Sequence, residues 1–496
     1  MSDQPTARLS VRPSVRTRVG AVLAPAVFVL LLVLPLAALP PAAHRLAAVL
    51  GAVVVLWVTE ALPLAVTALL GAAACVLLGV APAREVFAPF ADPLMFLFIG
   101  AFILSRAIFL HGLNRRVAYA VLSLPWVGAR PSRILLAFGA VTALTSWWVS
   151  NTATTAMMFG IGLAILTALR GPGAGVTIDP RYATGLMLMT SFAASVGGLA
   201  TPVGTPPNII GLGFLRSQLG VEISFFRWMR IGVPIVLVLF AFLYIYLNAV
   251  APAGVRELPA GADLIRRERA QLGPWTRGQR SVAIAFGITV ALWILPGLVA
   301  IVAGEGSAAY LTLTRRLPEG VAALLGSLLL FILPGEDGAA ITWQEAVQID
   351  WGVVLLYGGG LALGVLSFQT GLAEAMGRGL TGLLPIEGSL GMLAAAVVVA
   401  VILSETTSNT AAANMVVPVV ISIARAAGLD PVEPALGATL AASLGFMLPV
   451  STPCNAIVYG SGYIPLSRMI RHGLVLDLVG IIMIVTMVRL LSPLLR

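Results

Sequence analysis

The chain is poor in charged residues, has few cysteines and histidines, and contains no lysine. Only 10% of its 496 residues are charged, whereas 59% are hydrophobic. Soluble domains carry about a quarter charged residues, so this composition excludes an ordinary soluble globular protein. It indicates an all-α polytopic membrane protein instead.

The scarcity of cysteine and histidine argues against metal motifs and disulfides. Cys75 and Cys454 form neither a metal-ligand motif nor a disulfide framework. His44, His111 and His472 are scattered, which argues against a zinc or haem site. The apolar runs contain no GxSxG or HExxH motif and no paired aspartates. The sequence therefore predicts neither an enzyme nor an organic cofactor.

The net charge of +9 reflects an excess of 30 arginines over 21 acidic residues. The arginines are spread over the segments between apolar runs, a pattern typical of membrane topology rather than of nucleic-acid binding. We therefore expect the lipid bilayer as the environment of the protein and no nucleic-acid partner.

Apolar runs long enough to cross a hydrocarbon core of about 30 Å recur along the chain. The sequence predicts eleven transmembrane helices, and the first is a retained span because it lacks a clear signal-peptide cleavage pattern. The predicted spans are residues 21–40, 44–61, 64–82, 93–112, 183–213, 227–250, 281–302, 318–334, 352–372, 433–460 and 470–493. Two further apolar blocks, 134–169 and 389–426, carry a Ser-Asn-Thr triplet in the middle, and each is predicted to form a re-entrant hairpin.

The two halves of the chain contain four pairs of similar segments in the same order. The pairs are PLAVTALLG (63–71) and PEGVAALLG (318–326), DPLMFLFIG (92–100) and DWGVVLLYG (350–358), SNT (150–152) and SNT (408–410), and PVGTPPN (202–208) and PVSTPCN (449–455). Four pairs in one order indicate an internal repeat. The first copy has five spans and a hairpin, and a sixth span links it to the second copy, which therefore has inverted topology.

A cytoplasmic N-terminus places most of the arginines in cytoplasmic segments, as the positive-inside rule expects. The predicted location is the inner (plasma) membrane, with the C-terminus outside. The predicted parts are a cytoplasmic tail (1–20), a first repeat with its linking span (21–250), a cytoplasmic linker (251–280) and a second repeat (281–496). Their subdivisions are scaffold spans (21–126 and 281–372), hairpins (132–170 and 389–426), broken spans (183–213 and 433–460) and single spans (227–250 and 470–493).

The polar triplets and the proline motifs predict a binding site within the membrane. Non-helical backbone is tolerated at membrane depth only where protein or a water-filled cavity satisfies it. A Ser-Asn-Thr tip followed by a helix N-terminus suits an anion, and the free carbonyls that end the preceding helix suit a sodium ion. Pro206 and Pro453 should each break their span into two helices.

Each motif also has a plainer explanation. A single SNT is often only a helix cap or a packing surface in a membrane bundle, and a single proline is often only a kink. The inverted duplication of both motifs favours a transporter site near the middle of the membrane.

From VTEALPLAVTALL (58–70) through both triplets to NAIVYGSG (455–462), the chain resembles the divalent anion:sodium symporter family. That family contains bacterial dicarboxylate transporters and mammalian sodium-coupled carboxylate and sulfate carriers. The resemblance implies symport of sodium with a divalent anion, expected to be a C4-dicarboxylate such as succinate, malate or fumarate. It also implies a homodimer, in which each protomer has a fixed scaffold and a transport domain that moves as an elevator.

The resemblance also assigns residues. The substrate-binding residues that it implies are Ser150, Asn151, Thr152, Thr205, Ser408, Asn409, Thr410, Thr452 and Pro453. The implied sodium ligands are Ser146, Ser150, Asn151 and Gly204 at the first site, and Ser404, Thr407, Asn409 and Ser451 at the second. The chain departs from the family pattern at Cys454, where a second proline is frequent, and at Thr407 and Ser451, where alanines are frequent. Sodium stoichiometry and substrate choice therefore stay open.

Three alternatives remain at this stage. A dicarboxylate exchanger that works without sodium is expected to carry a basic side chain at the tips, and neither tip has one. A sodium/sulfate symporter would use the same neutral donors for its dianion. The third is a passive channel. Hairpins that close the site from both sides fit the alternating access of a carrier better than a channel.

Three charged residues interrupt apolar runs. Glu60 and Glu405 are candidates for proton coupling or gating, but we expect each to accept hydrogen bonds from neighbouring helix ends. Arg106 is expected to pair within the scaffold or to extend toward the membrane surface, because a fixed positive charge would bind an anion too firmly for release.

Overall fold

The computed structural model describes residues 14–36, 39–169, 178–381 and 388–495. Within these ranges the chain forms α-helices and short 3₁₀ segments, and no β-strand is found there. The helices are α1 Val15–Val33, α2 Pro41–Thr59, α3 Leu64–Leu77, α4 Ala83–Phe87, α5 Pro93–Leu110, α6 Leu113–Leu122, α7 Pro131–Ser146, α8 Asn151–Ala168, α9 Pro180–Gly197, α10 Pro206–Leu219, α11 Phe225–Val250, α12 Pro259–Gln271, α13 Arg277–Ala303, α14 Ala308–Arg316, α15 Glu319–Leu329, α16 Trp343–Ala346, α17 Trp351–Gln369, α18 Leu372–Thr381, α19 Gly388–Thr406, α20 Asn409–Ala426, α21 Val432–Ala441, α22 Pro453–Tyr459 and α23 Leu466–Leu491. The all-α polytopic fold is thereby confirmed.

Eleven of the described helices are long and apolar enough to cross a membrane, namely α1, α2, α5, α8, α9 with the 3₁₀ turn after it, α11, α13, α17, α19, α20 and α23. The number equals the predicted number of spans, but the two sets differ. Three of these helices, α8, α19 and α20, belong to the predicted hairpins. Conversely, α3 and α15 are shorter apolar helices of 14 and 11 residues.

Two predicted segments contain helix starts in the structure. The segment predicted as a tail, residues 1–20, includes the start of α1 at Val15, where the Ser14 side chain accepts a hydrogen bond from the Thr17 backbone N–H. The linker predicted as residues 251–280 contains the helix α12, and α13 starts inside it. Hydropathy could not reveal α12, because that helix is polar and does not cross the membrane.

Both predicted broken spans are broken in the structure. In the first, α9 ends at Gly197, a 3₁₀ turn follows, and α10 begins at Pro206. In the second, α21 ends at Ala441 and α22 begins at Pro453. Each proline occupies the first turn of its helix. Backbone N–H groups there have no acceptor within the helix, so the missing N–H of proline costs no hydrogen bond.

A buried asparagine holds each break, Asn208 in the first repeat and Asn455 in the second. Each side-chain amide donates to two backbone carbonyls, which lie ten and seven residues earlier in the chain. The donor–acceptor distances are 2.9 Å to Gly198 and 2.8 Å to Thr201 for Asn208, and 2.9 Å to Gly445 and 3.0 Å to Leu448 for Asn455. The internal repeat of the sequence therefore appears in the structure as matching hydrogen bonds across the two breaks.

Each predicted hairpin is a pair of contacting helices, α7 with α8 and α19 with α20. At each tip the serine of the triplet caps the second helix. Ser150 Oγ accepts from the Ala153 N–H at 3.4 Å, and Ser408 Oγ accepts from the Ala411 N–H at 3.2 Å. Both hairpins pack on the broken helices, α7 and α8 on α9, and α19 and α20 on α21. The tips therefore lie against the breaks.

Candidate functional site

The first tip gathers oxygen atoms around Asn151. With its NH₂ group turned toward them, the Asn151 amide donates to Ser146 Oγ at 2.7 Å and to the carbonyls of Ala194 at 3.1 Å and Gly204 at 3.2 Å. Gly198 approaches so closely that a Cβ there would lie 2.4 Å from the nearest atom of the Asn151 side-chain amide. The tip and the break thus share one compact cluster of oxygen atoms.

The second tip brings the matching residues together around Asn409, but the hydrogen bond between serine and asparagine runs in the opposite direction. Ser404 Oγ donates to Asn409 Oδ1 and to the Ala442 carbonyl, both at 2.8 Å. The Asn409 amide donates to the Ser443 carbonyl at 3.3 Å. A Cβ at Gly445 would lie 3.3 Å from Asn409 Oδ1. In both repeats, therefore, a serine and an asparagine five residues apart meet the carbonyls of the broken helix.

Both clusters fit a hard monovalent cation by their chemistry. Hydroxyl, amide and backbone carbonyl oxygens are the ligands that half-helix ends offer to sodium at membrane depth. At the first tip the structure brings together Ser146, Asn151 and Gly204 of the predicted set. The fourth member, Ser150, uses its hydroxyl to cap α8.

The second predicted sodium set is only partly assembled by side chains. Ser404 and Asn409 meet, but the other two hydroxyls are engaged elsewhere. Thr407 Oγ1 donates to the Trp57 carbonyl at 3.3 Å. Ser451 Oγ lies 2.6 Å from Glu405 Oε2 and 3.0 Å from the Glu405 carbonyl. A role for Thr407 and Ser451 in sodium binding stays a prediction.

Glu405 is buried and serves as an acceptor for the break, as predicted. Its side chain is 3% exposed. It accepts from the N–H groups of Met447 at 2.7 Å and Leu448 at 3.3 Å, and from the hydroxyl of Ser451. These groups lie in the irregular segment between α21 and α22, so Glu405 ties the second tip to the second break.

We expect replacement of Glu405 by glutamine to lower the free energy of unfolding by roughly 2 kcal/mol, the middle of the range for leaving a buried polar group without its hydrogen-bond partner. Glutamine has an NH₂ group in place of one of the two accepting oxygens. The matched control is Glu60→Gln, because the Glu60 side chain is 48% exposed. Thermal unfolding in detergent measures both variants, and equal stability of Glu405→Gln and the wild type would contradict this account.

Glu60 and Arg106 lie outside the oxygen clusters. Glu60 ends α2 with a left-handed backbone (φ 50°), a rare conformation for a residue other than glycine, and its carboxylate lies 4.0 Å from Arg16. Arg106 donates to Gln348 Oε1 at 2.5 Å. Arg106 therefore pairs with a residue between α16 and α17, and its assignment to a scaffold stays a prediction.

A cleft of about 720 Å³ lies between the second tip, the second break and the turn that joins α2 to α3. The residues that line it are Glu60, Ala61, Leu62, Pro63, Leu64, Ser408, Pro449, Val450, Ser451, Thr452, Pro453, Ala456, Tyr459 and Gly460. Three predicted substrate residues, Ser408, Thr452 and Pro453, are therefore among its walls. A volume of this size accommodates a small organic dianion with water around it.

The other predicted substrate residues lie nearby or deeper. Thr152, which follows Asn151 in the first tip, lies beside the Cys454 thiol, next in sequence to Pro453. Thr410 is half-buried on the first turn of α20. Thr205 is 3% exposed and forms the N-terminal end of α10, away from the cleft. The first tip thus reaches the second break through Thr152.

Sequence reasoning missed two features of the site. Asn208 and Asn455 end the two matching proline motifs, so the repeat itself was the available signal for their role. Asp477 is a carboxyl group within the apolar run of α23, 2% exposed, and it lies beside Glu405. An acidic residue inside a predicted span was the available signal there.

The chain is similar to known proteins over most of its length. A family model described as the sodium:sulfate symporter transmembrane region matches residues 16–495. The sodium-dependent dicarboxylate transporter SdcS of Staphylococcus saprophyticus is 36% identical over 445 residues, which is 88% of this chain and 84% of that protein. SdcS of Staphylococcus aureus strain USA300 is 34% identical over 445 residues, with the same coverage.

Two solved structures of transporters share the fold. The YdaH transporter of Alcanivorax borkumensis aligns with a TM-score of 0.51 and 13% identity over 81% of this chain and 85% of that one. MtrF of Neisseria gonorrhoeae, described among antimetabolite efflux pumps, aligns with a TM-score of 0.55 and 14% identity over 85% of each chain. At such identities the likeness concerns the fold alone.

Proposed function

The chain belongs to the sodium:sulfate symporter family, and from this membership we propose that it carries a divalent anion across the membrane together with sodium. It is a transporter and not an enzyme. The observation that supports the proposal most is the pair of oxygen clusters around Asn151 and Asn409, which matching residues form in the two inverted halves. Two sodium ions in these clusters would balance the two charges of the substrate.

The proposed substrate is a C4-dicarboxylate such as succinate, malate or fumarate. The staphylococcal relatives, which are 34–36% identical to this chain, are named sodium-dependent dicarboxylate transporters. The N-terminus of α20 at Ser408 borders the cleft, and helix N-termini favour carboxylates. Sulfate is the second candidate, because the family model carries its name and sulfate is also a dianion.

The proposed residue roles are those that the family resemblance implies, and the geometry supports part of them. Ser408, Thr452 and Pro453 would contact the substrate in the cleft, with Thr152 approaching from the first tip. The first sodium ion would bind at Ser146, Ser150, Asn151 and Gly204, and the second at Ser404, Thr407, Asn409 and Ser451. Both clusters lie directly beside the breaks, so sodium binding would shape the walls that meet the substrate.

We also propose a homodimer in the inner membrane with a cytoplasmic N-terminus, and transport by an elevator movement. An elevator movement would carry the site from the opening beside the second tip, where Ser408 lines the cleft, to the other side of the membrane. With the N-terminus inside, the cleft beside α1 and α2 would face the cytoplasm.

Uptake of radiolabelled succinate into proteoliposomes tests the proposed function. We expect an inward sodium gradient to drive uptake and a potassium gradient of the same size not to do so. Stimulation by succinate trapped inside, without any need for sodium, would indicate an exchanger instead. Uptake of labelled sulfate in place of succinate would favour the second candidate.

A further inference from the structure

An ion pair joins a broken helix to the scaffold spans on the side of α10 away from the break. Asp92 caps α5, with Oδ1 accepting from the Leu94 N–H at 2.9 Å and from the Tyr357 hydroxyl at 3.0 Å. Asp92 Oδ2 accepts a hydrogen bond from Arg216, in the last turn of α10. The side chains of Asp92 and Arg216 are only 12% and 26% exposed, and Tyr357 is buried. We call these three residues the α10 clasp.

Next to the clasp, α10 and α17 pack closely because glycines of each helix face side chains of the other. A Cβ at Gly213 of α10 would lie 2.5 Å from the Tyr357 hydroxyl, and a Cβ at Gly364 of α17 would lie 2.4 Å from the Phe214 ring. Such close packing lets one helix lie on the other without large side chains between them. The ion pair between Arg216 and Asp92 therefore gives α10 a directional polar contact with α5. The Tyr357 hydroxyl connects the same carboxylate to α17.

The second repeat lacks the basic residue of the clasp. Asp350 is the counterpart of Asp92 in the matching segments, and it caps α17 by accepting from the Val353 N–H at 3.2 Å. Arg216 lies eight residues after Asn208, and the residue eight positions after Asn455 is Tyr463. In the part of the chain that the structure describes, Asp350 is exposed and has no ion-pair partner.

This asymmetry has a consequence for alternating access. In inverted-repeat transporters one repeat or bundle moves against the other, so each repeat takes the conformation of its counterpart in the opposite state. In that state the contact of Asp92 with α10 would open, and Asp350 would approach the segment after α22. That segment has Tyr463 where α10 has Arg216, so the ion pair would not be replaced.

We propose that the α10 clasp is a positioning contact that favours the conformation with the cleft open at the second tip. The inference rests on the proposed function, because it requires a second conformation. Loss of the ion pair removes an interaction made in one conformation only, and it therefore shifts the population toward the other. Arg216 and Asp92 act on transport through the position of α10 and do not touch the substrate.

The test is the rate at which a thiol-reactive maleimide modifies Val450→Cys, because Val450 lines the cleft and is 70% exposed. Cys75 and Cys454 are both buried, and protein without Val450→Cys supplies the blank. We expect Arg216→Gln to slow modification by at least about threefold, as a modest population shift predicts. Arg216→Lys keeps the charge and should react at nearly the rate of the parent.

Asp350→Asn is the matched control, because it alters the equivalent helix cap without touching an ion pair. It should leave the rate of modification unchanged. An unchanged rate in Arg216→Gln, or an equal slowing in Asp350→Asn, would overturn the proposal. If Arg216→Gln does not fold, Asp92→Asn removes the charge of the ion pair and keeps an amide oxygen that can cap α5, and an unchanged rate in that variant would have the same meaning. Modification reports access alone, so it is independent of whether wild-type protein takes up succinate.

Discussion

Replacement of Asn409 by alanine is expected to reduce sodium-dependent succinate uptake by about 100-fold, the upper range for loss of a group that orients metal ligands. Asn409 Oδ1 accepts from Ser404, and its amide group holds the Ser443 carbonyl, so one substitution removes both an oxygen ligand and the contact that positions another. Initial rates of uptake over a range of sodium concentrations measure the effect. The loss should appear mainly as a weaker dependence on sodium.

Thr406→Ala is the control for this prediction. Thr406 lies three residues before Asn409, but its hydroxyl bonds only to carbonyls of its own helix, at Ile402 and Leu403. The uptake rate of the Thr406→Ala variant should equal that of the wild type. Normal uptake and normal sodium dependence in Asn409→Ala would show that this cluster does not bind the coupling ion.

Replacement of Asn455 by alanine is expected to lower the free energy of unfolding by roughly 3 kcal/mol and to abolish uptake. The change leaves the carbonyls of Gly445 and Leu448 without a donor and the Ser191 hydroxyl without its acceptor at 2.6 Å. Each buried polar group without a partner costs about 1–3 kcal/mol. Thermal unfolding of the purified protein in detergent measures the loss.

Two further variants show which atoms of Asn455 matter. Asn455→Asp keeps an acceptor for Ser191 but lacks the NH₂ group, so it should be nearly as unstable as Asn455→Ala. Asn414→Ala is the control, because the Asn414 amide donates only to the Thr410 carbonyl of its own helix. If Asn455→Ala is no less stable than Asn414→Ala, the hydrogen bonds of Asn455 do not stabilise the second break.

The sequence was sufficient for the parts of the fold that depend on local rules. Pro206 and Pro453 start new helices because proline lacks an N–H and fits the first turn, and the two SNT triplets cap α8 and α20. The order of the four repeated segments predicted that the two halves share one design. The equal hydrogen bonds of Asn208 and Asn455 agree with that prediction.

Long-range partners could not be predicted in this way. Nothing in SETTSNT shows that Glu405 accepts from the Ser451 hydroxyl, some 46 residues later in the chain, or that Thr407 donates to Trp57 in α2. These contacts depend on how α19 packs against the second break and against α2. For the same reason the link between Asp92 and Arg216 had no signal in either segment alone.

Calorimetric titration of succinate into the purified protein, in sodium and in choline, tests the central claim that both repeats form one sodium-dependent site. Our account predicts binding in sodium only, and loss of binding in both Asn151→Ala and Asn409→Ala. Binding of equal strength in choline, or full binding in either variant, would contradict it.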